Sequence, residues 1–261
     1  MIRGGLDALV CDLDGVVYRG ESPVEGSVEA IAHLRGQGVR LLFCTNNSRS
    51  TVDQYITKLT GLGIPVDASE ILTSAVVTAE ELRRRNFAGR TAIVVGGEGI
   101  RDALSSVCIG VKDEPEVTAA DLVVVGWTPD FTYDEMRRAA GAVLAGATLV
   151  ATNDDAAFPA TGGKLWPGAG AILASIERAT GKHAEVMGKP HPPMMDAAAR
   201  RLEGAERIAV VGDRAETDLA GGTARGWTTI LTLSGVTDRK QAGRIEPPPD
   251  FIVERLAELV Q

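Results

Sequence analysis

Seven short runs rich in Val, Leu, Ile and Ala recur along the chain, with amphipathic segments between them. The runs are Leu6–Cys11, Arg40–Cys44, Ala92–Val95, Asp121–Val125, Thr148–Ala151, Ile208–Val211 and Thr229–Leu233. Several are continuously apolar rather than alternating, as parallel strands covered on both faces are. The segments between them read as helices. In residues 50–62, Val52, Tyr55, Ile56, Leu59 and Leu62 fall at helical spacing, and Ser50 with Asp53 has the pattern of a capping box. In residues 132–144, Thr132 and Glu135 offer the same start signal before the stripe Met136, Ala139, Ala140 and Val143. Strand and helix alternating over this length predict an α/β fold, as one large parallel sheet or two smaller ones, whose ligands bind at the carboxyl ends of the strands.

A chain of 261 residues is one large domain or two modest ones. Hydrophobic residues at 44% and charged residues at 24% exclude a wholly disordered chain. The net charge of −8, from 35 acidic and 27 basic residues, argues against nucleic acid as a partner, which would need a basic face. No apolar run approaches the roughly 20 residues of a membrane helix, so no membrane partner is expected. Asp7 and Asp12 flank a very short apolar stretch, so no signal peptide is expected either. Cys11, Cys44 and Cys108 form neither a disulfide framework nor a CxxC zinc pair. The simplest expectation is a reducing cytoplasm.

Four elements carry chemistry. In Val10-Cys11-Asp12-Leu13-Asp14-Gly15-Val16-Val17-Tyr18 an apolar strand runs directly into two carboxylates. Residues two apart lie on one side of an extended chain, and clustered carboxylates repel unless a cation or proton sits between them. In Leu41-Leu42-Phe43-Cys44-Thr45-Asn46-Asn47-Ser48 a second strand ends in hydroxyl and amide groups before a helix, a source of donors for an anion. Gly188-Lys189-Pro190 places a lysine at a strand-to-helix turn, where a fixed ammonium would neutralise phosphate. In Val210-Val211-Gly212-Asp213, with Asp218 five residues on, another strand ends in carboxylates, and oxygen ligands from several strand ends suit Mg²⁺. Taken alone, each element also reads as an ordinary turn, cap or solvated side chain, Asp218 as a helix-start charge.

Their order, DxDGVxY, TNNS, GKP and GDRxxTD, resembles that of haloacid dehalogenase superfamily phosphatases. The resemblance spans essentially the whole chain, within the subgroup of nitrophenyl-phosphatase-like, phosphoglycolate-phosphatase-like and pyridoxal-phosphatase-like proteins. It implies a doubly wound parallel-sheet, HAD-like core of residues 1–78 and 184–261 and an inserted, smaller α/β cap of residues 79–183. About 140 residues separate Thr45 from Lys189, enough for that insertion. It further implies that Asp12 is the nucleophile, forming an aspartyl-phosphate, and that Asp14 is the general acid and base. Thr45, Asn46, Asn47 and Lys189 would bind the phosphoryl group. Asp12, Asp213 and the main chain of Asp14 would hold Mg²⁺, with Asp218 in support. Asn153, Asp155 and Gly168 of the cap would contact the leaving group, and a homodimer through the cap is a further expectation.

Val95-Gly96-Gly97-Glu98-Gly99-Ile100 lacks the third glycine of a dinucleotide fingerprint, and His33, His183 and His191 are too scattered for a histidine-based site. Three hypotheses stand. The first is a phosphatase of small phosphomonoesters such as a sugar or polyol phosphate or a nucleotide monophosphate. The second is a phosphomutase, which shares the acid pair. The third is a phospho-accepting signalling module, which the chain length and Asp14 disfavour. Asp154 and Asp155, facing a leaving group, would disfavour a second anion there and lean the expectation toward a neutral polyol or sugar.

Overall fold

The computed structural model describes residues 5–114, 119–160 and 164–260. The chain forms two compact units. One comprises Met1–Thr45, Asp53–Leu72 and Met195–Gln261, the other Asn46–Val52 and Thr73–Met194. The units part at 72/73 and 194/195, whereas the family resemblance implied boundaries at 78/79 and 183/184. Residues 115–118 and 161–163 of the expected cap lie outside the described residues.

The first unit is built on a six-stranded sheet in the order Phe251–Val253, Thr228–Thr232, Ile208–Gly212, Ala8–Cys11, Arg40–Thr45 and Ile71–Thr73. The first five of these run parallel. Ala8–Cys11 is buried at every position, which is why its sequence is continuously apolar. The strand starts at Ala8 rather than Leu6. Asp7 turns aside there, its carboxylate accepting from the Arg207 main-chain N–H at 2.8 Å and from the Arg207 guanidinium at 2.6 Å. The chain builds outward from Ala8–Cys11 on one side, then returns to build outward from Ile208–Gly212 on the other. The strand order therefore reverses between these two neighbours, and their carboxyl ends flank a ligand-binding crevice.

The second unit carries a five-stranded parallel sheet in the order Glu185–Val186, Thr148–Ala151, Leu122–Val125, Thr91–Val95 and Gly110–Val111. Its core packs Ile93, Val123, Val125 and Leu149 against Val143 of the Tyr133–Leu144 helix and Ile172 and Ile176 of the Ala169–Thr180 helix. The Thr132–Glu135 capping box forms: the Glu135 N–H donates to Thr132 Oγ1 at 3.2 Å, and the Thr132 N–H donates to Glu135 Oε2 at 2.9 Å. The other expected box does not cap its helix as drawn. That helix spans Val52–Gly61, which puts Thr51 rather than Ser50 at the capping position. The Gly96–Gly99 stretch opens the Glu98–Ser106 helix, and the Gly99 N–H donates to the Arg49 carbonyl at 2.8 Å. Its glycines thus serve main-chain packing. All seven expected strands form; the short Ile71–Thr73, Gly110–Val111, Glu185–Val186 and Phe251–Val253 strands complete the two sheets.

Candidate active site

Asp12 directly follows the Ala8–Cys11 strand, and Asp213 directly follows Ile208–Gly212. These strands pair in parallel register, Cys11 opposite Val211, and the Asp12 N–H donates to the Val211 carbonyl at 3.0 Å. Two residues about 200 positions apart thus leave the sheet side by side. One π-helical turn, Ala215–Leu219, brings Asp218 back to the same point. One carboxylate oxygen from each of Asp12, Asp213 and Asp218 lies within 4.8 Å of the others. The residues are only 9%, 3% and 2% exposed. Three buried like charges this close require a cation or a proton among them, and an all-oxygen donor set of this kind matches Mg²⁺.

Asp213 and Asp218 are held by loop residues. The Val236 N–H donates to Asp213 Oδ2 at 2.6 Å, and the Thr237 hydroxyl donates to the Asp213 carbonyl at 2.5 Å. Asp218 Oδ2 accepts from the Arg214 N–H at 3.0 Å. Gly15 explains the glycine of the DxDG motif. Its φ is +87°, and a Cβ there would lie 2.5 Å from Asp213 Oδ2. Any side chain would be strained and would push the carboxylate away.

Asp14 is exposed, unlike Asp12 two residues earlier. The Tyr18 hydroxyl donates to Asp14 Oδ2 at 3.4 Å. Burial, reinforced by the Asp14 charge, pushes the Tyr18 phenol far above its ordinary range, so it remains a donor. The Lys58 ammonium lies 3.8 Å from the centre of the Tyr18 ring. Thr45 is buried at the carboxyl end of the Arg40–Thr45 strand, next to Ala8–Cys11 in the sheet. The structure thus brings together Asp12, Asp213 and Asp218, and sets Asp14 and Thr45 at the same end of the same sheet.

In the second unit, Asn46, Asn153, Asp155 and Lys189 converge. The Asn46 amide bonds the main chain of Lys189 and reaches the Asp155 carboxylate at 3.3 Å, while Asn153 Nδ2 donates to the Asn46 carbonyl at 2.8 Å. Lys189 is 3% exposed. Asp154 Oδ2 lies 3.0 Å from His191 Nε2. Gly168 stands before the first turn of the Ala169–Thr180 helix, and its N–H donates to the Ala156 carbonyl at 2.9 Å. Asn47 is exposed, and its Oδ1 accepts from the Arg49 N–H at 3.0 Å.

Sequence reasoning missed the Ser234–Thr237 loop, which fixes Asp213 and whose Ser234 hydroxyl donates to the Gly15 carbonyl at 2.6 Å. It also missed Ser74, whose hydroxyl donates to the Asn46 carbonyl at 2.7 Å. The loop had a signal: the apolar run Thr229–Leu233 ends in Ser-Gly-Val-Thr, as the other strands end in polar residues. Ser74 had none.

Residues 9–109 match a family described as Haloacid dehalogenase-like hydrolase, and residues 186–259 one described as HAD-hydrolase-like. An acid sugar phosphatase of Staphylococcus saprophyticus is 33% identical over 255 residues, 97% of this chain and 96% of that protein. The crystal structure of a glycerol phosphate phosphatase from Mycobacterium tuberculosis in complex with magnesium superposes with a TM-score of 0.89 at 33% identity, covering 98% of this chain and 77% of that one. A p-nitrophenyl phosphatase from Archaeoglobus fulgidus gives 0.89 at 30% identity, with 98% of each chain covered. With carboxylates gathered at the switch point of a parallel sheet and likeness running from end to end, this chain belongs to the haloacid dehalogenase-like hydrolases, in their nitrophenyl-phosphatase-like subgroup.

Proposed function

We propose that the protein is a Mg²⁺-dependent phosphatase that hydrolyses small phosphomonoesters through an aspartyl-phosphate on Asp12. The observation that carries this reading is the cluster of Asp12, Asp213 and Asp218 carboxylates at neighbouring strand ends. Whole-length similarity to phosphatases supports it. Asp12, Asp213 and the Asp14 carbonyl would hold Mg²⁺, with Asp218 in support; when bound, the ion neutralises phosphoryl charge and orients the transferring group. An Asp12 carboxylate oxygen attacks phosphorus, the bond to the ester oxygen breaks, and Asp14 gives its proton to the departing alkoxide. Asp14 then takes a proton from water as the water oxygen attacks phosphorus. The bond to Asp12 breaks, releasing inorganic phosphate and the free carboxylate. Splitting the transfer into two displacements eases each of them, and most of the work is positioning and charge neutralisation. The exposure of Asp14 suits proton exchange, and the buried Tyr18 hydroxyl steadies its carboxylate. Lys189 supplies a positive charge for the phosphoryl oxygens, and Thr45, Asn46 and Asn47 supply polar groups around them.

In this reading the second unit carries the cap, residues 79–183, and Asn153, Asp155 and Gly168 select the leaving group. The acidic loop at Asp154 and Asp155 supports a neutral polyol or sugar over a carboxylated leaving group. The activities for which the similar sugar and glycerol phosphate phosphatases are named point the same way. Leu165 and Trp166, 70% and 49% exposed on the strand Lys164–Pro167, support a homodimer formed through this unit. No helix among the described residues is long and apolar enough to cross a membrane. The sparse cysteines, none of them joined in a disulfide among the described residues, support action in a reducing cytoplasm.

The test is phosphate release from a panel of glycerol, sugar and nucleoside phosphates and phosphoglycolate, with Mg²⁺ and with EDTA. Release of inorganic phosphate from a neutral-leaving-group substrate, abolished by EDTA, is expected. Transfer of label to a second position of the substrate instead of release would mark a mutase and overturn the reading.

A further inference from the structure

Asn46 makes an unusual pair of bonds. Its Oδ1 accepts from the Lys189 N–H at 2.7 Å, and its Nδ2 donates to the Lys189 carbonyl at 3.0 Å. One side-chain amide thus engages both polar groups of a single residue's main chain, as a neighbouring strand would. The main chain that carries this amide is itself held in place. The Asn46 carbonyl accepts from the Ser74 hydroxyl at 2.7 Å and from Asn153 Nδ2 at 2.8 Å. Asn46 is 8% exposed and Lys189 3%. Bonds so buried are not exchanged for water without cost. Gly188 completes the fit: a Cβ there would lie 2.6 Å from Asn46 Oδ1 and 2.5 Å from the Thr152 carbonyl. The glycine of the GKP motif is what lets the lysine's main chain reach the amide.

We propose that Asn46 is a positioning residue for Lys189, clamping that lysine's main chain so that its side chain starts from one fixed point. This rests on the reading of Lys189 as the phosphoryl-binding cation. Lysine is a point charge on a flexible four-carbon stem, so its precision depends on where the stem is rooted. Asparagine alone has the required acceptor and donor at this reach. Aspartate cannot donate to the Lys189 carbonyl, and glutamine is one methylene too long.

The test is a double-mutant cycle on the full chain, read as kcat/KM for p-nitrophenyl phosphate with Mg²⁺. The variants are Asn46→Ala, Lys189→Ala and their combination, each checked by circular dichroism and thermal unfolding. Displacement of a reacting group by about 1 Å can cost on the order of 10²-fold in rate. Asn46→Ala is therefore expected to lower kcat/KM by about 10²-fold when Lys189 is present, and by less than about threefold when it is absent. Inhibition by inorganic phosphate should weaken in parallel, and only in the presence of Lys189. Equal losses in both backgrounds, or no loss in either, would overturn the clamp while leaving the phosphatase reading intact. Wild-type turnover in Lys189→Ala alone would overturn the role of the lysine itself, and the clamp with it. Should Asn46→Ala not fold, Asn46→Asp replaces it in the same cycle under the same criteria, since it keeps the acceptor and loses only the donor.

Discussion

The two units share a plan and differ in what stands at their strand ends. Both are parallel sheets whose central strands are buried throughout: Ala8–Cys11 in one, Leu122–Val125 in the other. In the first, the strands run into Asp12, Thr45 and Asp213; in the second, into Gly96, Gly126 and Thr152. One sheet gathers three carboxylates at its switch point, while the other ends in small and neutral residues. The plan itself is therefore not the function. A parallel sheet offers a rim, and the residues just past the strands decide what that rim does.

The comparison breaks most sharply at Asp12. Asp12→Asn should reduce turnover by about 10⁴-fold or more, because an amide is a poor nucleophile and a weaker metal ligand. Circular dichroism should be unchanged, and a phosphate-release assay with EDTA in place of Mg²⁺ should give the same loss. Activity near wild type in either case would mean that the carboxylate rim is not the site.

Asp14→Asn should cost on the order of 10²–10⁴ in rate through lost acid and base catalysis. With p-nitrophenyl phosphate, whose leaving group needs little protonation, the first displacement should suffer less than the second. Rapid-quench labelling should then find phosphate held on the protein.

Strand interiors should behave alike in both units. Leu9→Ala and Leu122→Ala each empty a site that is fully buried, and each should cost about 2–5 kcal/mol of stability. Chemical denaturation followed by tryptophan fluorescence and circular dichroism measures this, and a large disparity would show that the units are not built to the same packing standard.

The smallest effect is expected at Asp7, at the opposite end of the catalytic sheet. Arg207 holds its carboxyl at about 2, below the ordinary 3.8. A depressed value means that the ionised form stabilises the fold. That contribution is complete above about pH 4 and is lost as pH falls through about 2. Thermal unfolding of wild type and Asp7→Asn should differ slightly at neutral pH and converge near pH 2. Divergence on acidification would have the wrong sign for this pair.

Much of this was legible in the residues. Continuous apolar runs announced buried parallel strands, because a strand covered on both faces has no polar side to show. The four motifs could be located because carboxylates, hydroxyls and a lysine cannot stay in such strands and so mark where they end. Ile71–Thr73, Gly110–Val111 and Glu185–Val186 were not legible, since two or three residues are too few to show a period. Composition alone gave no division into two units, because both are made of the same material.

What tertiary structure decided is which strand ends are neighbours. Nothing local tells Asp12 that Asp213 stands beside it; the parallel register of Cys11 with Val211 does, and a π-helical turn adds Asp218. Nor could a TNNS motif say that its first asparagine spends its amide on the main chain of Lys189, more than a hundred residues away. Local chemistry fixes where a strand stops and what it presents, since those depend on side chains within a few residues. Partnership across the chain depends on sheet order, and only the packed fold sets that order.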